Sequence, residues 1–359
     1  MNIIFVCTRS ITFNTFLASQ AKFLSKQGYK IKIACADIEN LNFRDSSNFK
    51  IDFPTKYIHL LSLVRFIKIF FQINKLISKN KSNIYYLHTP VASHLFRLFA
   101  IFYKLKIVYF VHGFRFTSKT RFLRATFYKV IEKILSFKTN IFITINNEDY
   151  LYAKNHLFNS VPTYKINGIG LDLKKKISKK NFKNKKIIKK IVVIAGYKKI
   201  KGYYNLLKAA ELLKGKNFKI DCYGYGDYAQ FESIKIKRKL NNIFFKKFEK
   251  NLKNKIRKYD LLLHLSKREG LPVAVMECLI DGVPVICKNI RGNSDLIKNG
   301  INGLFVDSYR EVPNKILYLN LENKVFNQMR YNAINTITKS FSKKEINKSI
   351  HNIIRKNFK

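Results

Sequence analysis

Ser266-Lys-Arg-Glu269-Gly270-Leu271-Pro272-Val-Ala-Val-Met-Glu277-Cys-Leu-Ile-Asp-Gly282-Val-Pro284-Val-Ile286 is the stretch on which the fold turns. An apolar run from Leu261 to Leu265 leads into it and reads as a buried strand that ends at Ser266. Gly270 permits a tight turn, Pro272 suits the first position of a helix, and Gly282 suits its stop. A second strand follows, from Pro284 to Cys287. The two carboxylates therefore take different places: Glu269 lies in the loop and Glu277 about one and a half turns inside the helix. A helix start behind a Gly-Leu-Pro loop offers unpaired N–H groups and a positive dipole end to an anion such as a diphosphate. A carboxylate beside that anion suits sugar hydroxyls. An ordinary helix with acidic residues near its start accounts for the same residues without a ligand.

The same alternation extends in both directions. Upstream, Ile191 to Ala195, Phe218 to Tyr223 and Leu261 to Leu265 read as strands separated by helices from Tyr203 to Leu213 and through Ile234 and Leu240. Toward the N-terminus, Asn2 to Cys7, Lys30 to Ala36, Ile84 to Leu87, Ile107 to Val111 and Ile141 to Ile145 form a second such series. Strands spaced by helix-length segments predict parallel sheets with helices on both faces. Between Leu173 and Lys190 stand ten lysines and few apolar residues, a composition that reads as a linker. The expected organisation is an α/β chain of two doubly wound Rossmann-like domains facing a cleft. Its parts are residues 1–172, a linker over 173–190, a second domain over 191–335, and a C-terminal helix over 336–359 that packs back on the first domain.

The 359 residues suffice for two domains and two cores. Lys plus Arg number 69 against 22 Asp plus Glu, a net charge of +47, while 47% of residues are hydrophobic. That apolar share excludes a disordered basic tail. The charge points to a polyanionic partner, whether nucleic acid, an anionic membrane face or phosphorylated substrates; a coding bias toward Lys, Ile, Asn and Phe explains it equally well. Cys7, Cys35, Cys222, Cys278 and Cys287 include no C-x-x-C pair and read as buried thiols in a reducing compartment. The first residues read as a strand and not as a signal peptide. The most apolar stretches, Ile58 to Ile77 and Ala92 to Val111, are broken by Arg65, Lys68, Lys75, Arg97, Lys104 and Lys106, so a membrane span is not expected. A cytoplasmic protein, peripheral on the inner membrane, is the expectation.

Glu269 and Glu277, set in Ser-x-x-Glu-Gly-Leu-Pro and followed by Gly-Val-Pro-Val-Ile, resemble the signature of the retaining glycosyltransferases of family 4, which have the two-domain GT-B fold. The resemblance extends over Phe110-Val-His112-Gly113-Phe114 and His88-Thr-Pro-Val-Ala, and over Lys165-Ile-Asn-Gly168-Ile-Gly170-Leu-Asp172 and Lys201-Gly202. It reaches on through Asp295-Leu-Ile-Lys-Asn-Gly-Ile-Asn-Gly303. It implies that Glu269, Gly270, Leu271 and Pro272 contact the transferred sugar and its phosphate, that Glu277 binds the nucleotide ribose, and that His112 contacts the donor sugar or supports charge at the reaction centre. Two places depart from the family pattern. Gly196 stands where the family usually carries an Arg, which leaves the diphosphate charge to Lys201 with Lys198 or Lys199. Thr8-Arg9-Ser10 replaces the family's glycine-rich turn, with Thr8 a candidate donor contact. Gly224 and Gly226, in Tyr-Gly-Tyr-Gly-Asp, are candidates to pass close to the base, although a plain turn explains them as well.

No Asp-x-Asp pair is available to hold a divalent ion against a diphosphate, so no metal and no cofactor are expected. Residues 114–138 carry seven Lys and Arg against the single acid Glu132, interleaved with Phe116, Phe122, Phe127 and Phe137. Such a segment suits an anionic bilayer, or forms an ordinary solvated face. The resemblance thus implies a hexosyltransferase acting on a nucleotide sugar, with UDP expected, and a polyprenyl-linked saccharide in surface polysaccharide (O-antigen or capsule) synthesis. Two other readings are a basic nucleic-acid-binding protein, for which no zinc-finger or RNA-recognition signature is present, and a nucleotide-sugar epimerase on the same scaffold.

Overall fold

The computed structural model describes residues 1–43, 48–55, 62–80, 83–158, 160–173, 184 and 187–358. They form two compact units, residues 1–169 with 344–359, and residues 170–343.

The first unit runs β1 (Asn2–Val6), α1 (Ser10–Thr12), a widened turn over Phe13–Leu17, α2 (Ala18–Lys26), β2 (Lys30–Cys35), β3 (Phe49–Lys50), α3 (Leu63–Ser78), β4 (Ile84–Leu87), α4 (Pro90–Phe99), β5 (Lys106–Val111), α5 (Phe122–Ser136), β6 (Ile141–Thr144), α6 (Asn147–His156) and β7 (Thr163–Lys165). The seven strands pair in parallel in the order β3-β2-β1-β4-β5-β6-β7. Strands β4 and β6 are buried along their whole length and β1 and β5 at every residue but the first, as strands covered on both faces must be, and this is why they read as apolar runs. One layer of the core comprises Ile69, Ile73, Leu76 and Ile77 of α3, Val91, Leu95 and Phe96 of α4, and Tyr85, Tyr109 and Phe142 of the sheet.

An ion trio is sealed between α4 and α5. Glu132 accepts from Arg97 Nη2 at 2.8 Å and meets His94 Nε2 at 2.7 Å, and the Arg97 guanidinium lies 4.3 Å from the centre of the Tyr109 ring. Burial opposes ionisation of Glu132, but Arg97 and His94 outweigh it and hold the carboxyl down to about 2. The one acid of the basic segment is therefore inside the protein, and so is Phe116. The outward face of α5 carries Phe122 (79% exposed), Leu123 (83% exposed), Phe127, Val130 and Ile134 among Arg124, Lys129 and Lys133.

The second unit runs β8 (Lys190–Ile194), α7 (Tyr203–Leu212), β9 (Lys219–Tyr223), α8 (Ala229–Lys237), β10 (Ile243–Lys246), β11 (Leu261–His264), α9 (Val273–Ile280), β12 (Val285–Lys288), α10 (Asn293–Leu296), β13 (Gly303–Val306), α11 (Val312–Leu321) and α12 (Asn323–Ser340). Its parallel order is β10-β9-β8-β11-β12-β13. Most of the lysine-rich stretch, 174–183 with 185 and 186, lies outside the described residues. Its end is not linker: Ile188 is buried in the second core, its N–H bonded to Asn320 Oδ1 at 2.7 Å, and Lys190 opens β8.

The helix expected over 336–359 is two helices. The α12 helix breaks at Phe341 and Ser342, where Leu171 N–H bonds the Phe341 carbonyl at 2.9 Å, and α13 (Lys343–Phe358) follows. Residues up to 343 stay with the second unit and those from 344 join the first. Along α13, Ile346, Ile350, Ile354 and Phe358 recur every fourth residue and are buried, while His351 sets its ring edge against Phe23 and Tyr29. Asn357 Nδ2 bonds Tyr164 Oη at 3.2 Å.

Candidate active site

In an open parallel sheet the ligand crevice opens beyond the strand C-termini, where the strand order reverses. In the second unit that place is between β8 and β11. The chain leaving β8 carries Lys201 and the chain leaving β11 carries Glu269. Their side chains meet, Lys201 Nζ donating to Oε1 at 2.7 Å and to Oε2 at 2.8 Å. A Cβ on Gly202, at φ +83°, would stand 2.1 Å from the Leu265 carbonyl oxygen, so the close approach of the two loops depends on that glycine.

Glu269 is enclosed. His264 Nε2 lies 3.3 Å from its Oε1, and Arg291 donates its Nε–H to the Glu269 carbonyl at 2.9 Å. Burial works against the charged carboxyl, but His264 and then Lys201 prevail and hold it down to about 2. The loop is pressed from the other side by Gly292, where a Cβ would come within 2.3 Å of the Gly270 carbonyl. Glu269 is thus a fixed acceptor of hydrogen bonds. Two of the three Lys201 ammonium hydrogens serve it, leaving one for an incoming anion.

Pro272 caps α9 and is not its first residue: the helix begins at Val273, and no side chain caps it. The first-turn amides are unpaired within a helix by construction, and they follow directly on Gly270 and the buried Leu271. Glu277 lies one turn further on, partly buried, with Oε1 2.9 Å from the exposed Lys253 Nζ. Lys198 and Lys199 are exposed beside Lys201. Gly224 is buried and Gly226 exposed; between them the Tyr225 carbonyl accepts from Tyr197 N–H at 2.8 Å, which ties their turn to the loop leaving β8.

In the first unit the order reverses between β1 and β4. Thr8 follows β1, and its Oγ1 lies 2.7 Å from Thr89 Oγ1 beyond β4. His112 follows β5, with Nε2 3.1 Å from His88 Nδ1. Burial brings the His112 ring down to about 4 and His88 well below its ordinary value, so both rings are neutral at pH 7.

Thus Lys201, Glu269 and the Gly270–Pro272 loop come together in one unit, with Thr8 and His112 in the other. His264 and Arg291 escaped the sequence reading. His264 closes an apolar strand at a C-terminal edge, a position that marks candidates; Arg291 follows no pattern of spacing.

The sequence model for "Glycosyl transferases group 1" matches residues 174–336, and that for "Glycosyl transferase 4-like" matches residues 5–146. The putative glycosyltransferase EpsD of Bacillus subtilis is 27% identical over 320 residues, 85% of this chain and 83% of EpsD. The UDP-Gal:alpha-D-GlcNAc-diphosphoundecaprenol alpha-1,3-galactosyltransferase of Escherichia coli is 25% identical over 352 residues, 89% of this chain and 87% of that one. Among solved structures, Anabaena HepE in complex with UDP and glucose superposes with a TM-score of 0.77 at 14% identity, covering 99% of this chain and 100% of HepE. The likeness to HepE is one of fold.

Proposed function

Because the chain is a glycosyltransferase of the GT-B fold and family-4-like kind, we propose that it moves a hexose from a UDP-sugar to a polyprenyl-diphosphate-linked saccharide, with retention at the anomeric carbon. The observation that carries this is the Lys201–Glu269 pair beside the uncapped start of α9. The donor and acceptor classes follow those in the name of the E. coli relative.

The roles follow from charge. As the C1–O bond to the diphosphate breaks, negative charge grows on the β-phosphate, where the remaining Lys201 hydrogen, the α9 amides and their dipole meet it. Positive charge grows on the sugar ring, near the fixed carboxylate of Glu269. The acceptor oxygen forms the new bond to C1 on the face the phosphate leaves, and its proton passes to a departing phosphate oxygen. Glu277 exchanges Lys253 for the ribose hydroxyls, and His112 touches the sugar. Lysine and helix dipole take the place of a metal ion.

The test is transfer from UDP-sugars to a polyprenyl-diphosphate saccharide, with and without EDTA. Glu277→Ala, losing a hydrogen-bonded pair of hydroxyls, is expected to raise the donor KM about tenfold or more. Wild-type kinetics in that variant, or activity that vanishes in chelator and returns with Mg²⁺, would refute the corresponding assignment.

A further inference from the structure

His88 stands where the chain leaves β4, the middle strand of its sheet, and is held there on every side. Its ring is fully buried, stacked on Phe5 with centroids 5.6 Å apart and 8° between planes, and packed against Tyr86 and Phe110. Its backbone N–H is fixed to the Val6 carbonyl at 2.7 Å. The next residue, Thr89, takes φ +64°, a strained value for a β-branched residue, and is tied by hydrogen bonds to Thr8 N–H and Oγ1. This ring cannot turn easily. Of its two nitrogens, Nδ1 meets His112 Nε2 at 3.1 Å, and Nε2 is buried with no hydrogen-bond partner among the described residues. His112 is only partly buried, and its Nδ1 has no partner among the described residues.

A contact between two neutral imidazoles needs one proton between them, and this gives two arrangements. If His112 Nε2 carried that proton, His88 would hold its own on Nε2, an N–H sealed among aromatic rings with no acceptor. If His88 Nδ1 carries it, Nε2 of His88 is only an unused lone pair. Orphaned buried donors are the rarer of the two. We propose that His88 is a positioning residue that holds His112 in its Nδ1–H form, so that His112 meets the sugar as a hydrogen-bond donor and not as a base. With Nε2 engaged by His88 and Nδ1 protonated, the ring has no free lone pair to take a proton from the acceptor hydroxyl. The position of that donor beyond β5 then selects for an oxygen on the sugar.

The sugar contact rests on the function proposed above; the tautomer does not. The test is long-range ¹H–¹⁵N correlation on the full chain labelled at histidine, with His112 assigned from the spectrum of His112→Gln. The expected result is a pyrrole-type Nδ1 and a pyridine-type Nε2 on His112, the reverse of the form usual for a free side chain. A pyridine-type Nδ1 in the wild-type protein overturns the proposal without any variant. His88→Phe, which keeps the aromatic packing, is expected to release His112 to the Nε2–H form and to lower kcat/KM roughly five- to twentyfold, the effect of one hydrogen bond. His88→Asn, whose amide N–H can occupy the place of Nδ1, is expected to restore both readouts in part. An unchanged tautomer in His88→Phe overturns the proposal; a changed tautomer with unchanged kcat/KM upholds it and overturns the sugar contact of His112 instead.

Discussion

At the scale of single residues, two ion-paired glutamates do different work with the same chemistry. Glu269 faces the candidate site and leaves its cation a spare hydrogen; Glu132, between Arg97 and His94, is sealed and purely structural. Because Glu132 titrates at about 2 in the folded chain against an ordinary value of 4.5, its ionisation stabilises the fold fully above pH 4.5. That contribution is lost as the pH falls toward 2. Glu132→Gln leaves the Arg97 charge buried without a counter-charge, which is expected to cost about 3–5 kcal/mol. Urea unfolding at pH 7 checks the cost, and repeating it down to pH 3 should show a shallower acid decline in the variant. None of this was legible in the sequence, where Glu132 counted as one acid on a basic surface. A helix position says which residues share a face, but not which neighbouring helix supplies the partners.

Among the elements, α5 and α9 show why some readings came easily and others did not. The α9 segment announced itself through Gly270, Pro272 and Gly282, residues that act on the backbone locally, and the structure moves its start by a single residue. Short edge strands such as β3, with two residues, lack the apolar run that marks a central strand and went unread. The outward face of α5 leaves Phe122, Leu123 and Phe127 exposed, and Phe102, beyond α4, is 87% exposed. A row of exposed aromatic and aliphatic side chains flanked by cations fits the boundary between lipid headgroups and acyl chains. Leu123→Asp, placed where the side chain is 83% exposed, is expected to leave folding intact and to reduce sedimentation with anionic vesicles severalfold, with a smaller effect on neutral ones. Equal binding by variant and wild type would remove this face from the account.

For the whole molecule, the two parallel sheets were readable because their central strands are apolar throughout, and the sheet edges and the ion pairs that cross long sequence distances were not. The 68-residue separation between Lys201 and Glu269 is bridged by strand order, which no local pattern encodes. The C-terminal boundary moved for the same reason: the break between α12 and α13 depends on a bond to Leu171, far away in sequence. Deleting residues 344–359 exposes the first unit where Ile346, Ile350, Ile354 and Phe358 cover it. At about 1.5–3 kcal/mol for each fully buried apolar side chain, the loss rivals the stability of an ordinary domain. The truncated chain is expected to lose its native far-UV spectrum in the first unit and to be digested there by protease, while the second unit resists. The route of α13 also sets a timetable for the newborn polypeptide. The opening sheet emerges from the ribosome long before its covering helix, which is encoded about 175 residues later, a wait of roughly 9 to 35 s at ~5–20 residues per second. During that interval its bare flank is a natural client for a holding chaperone.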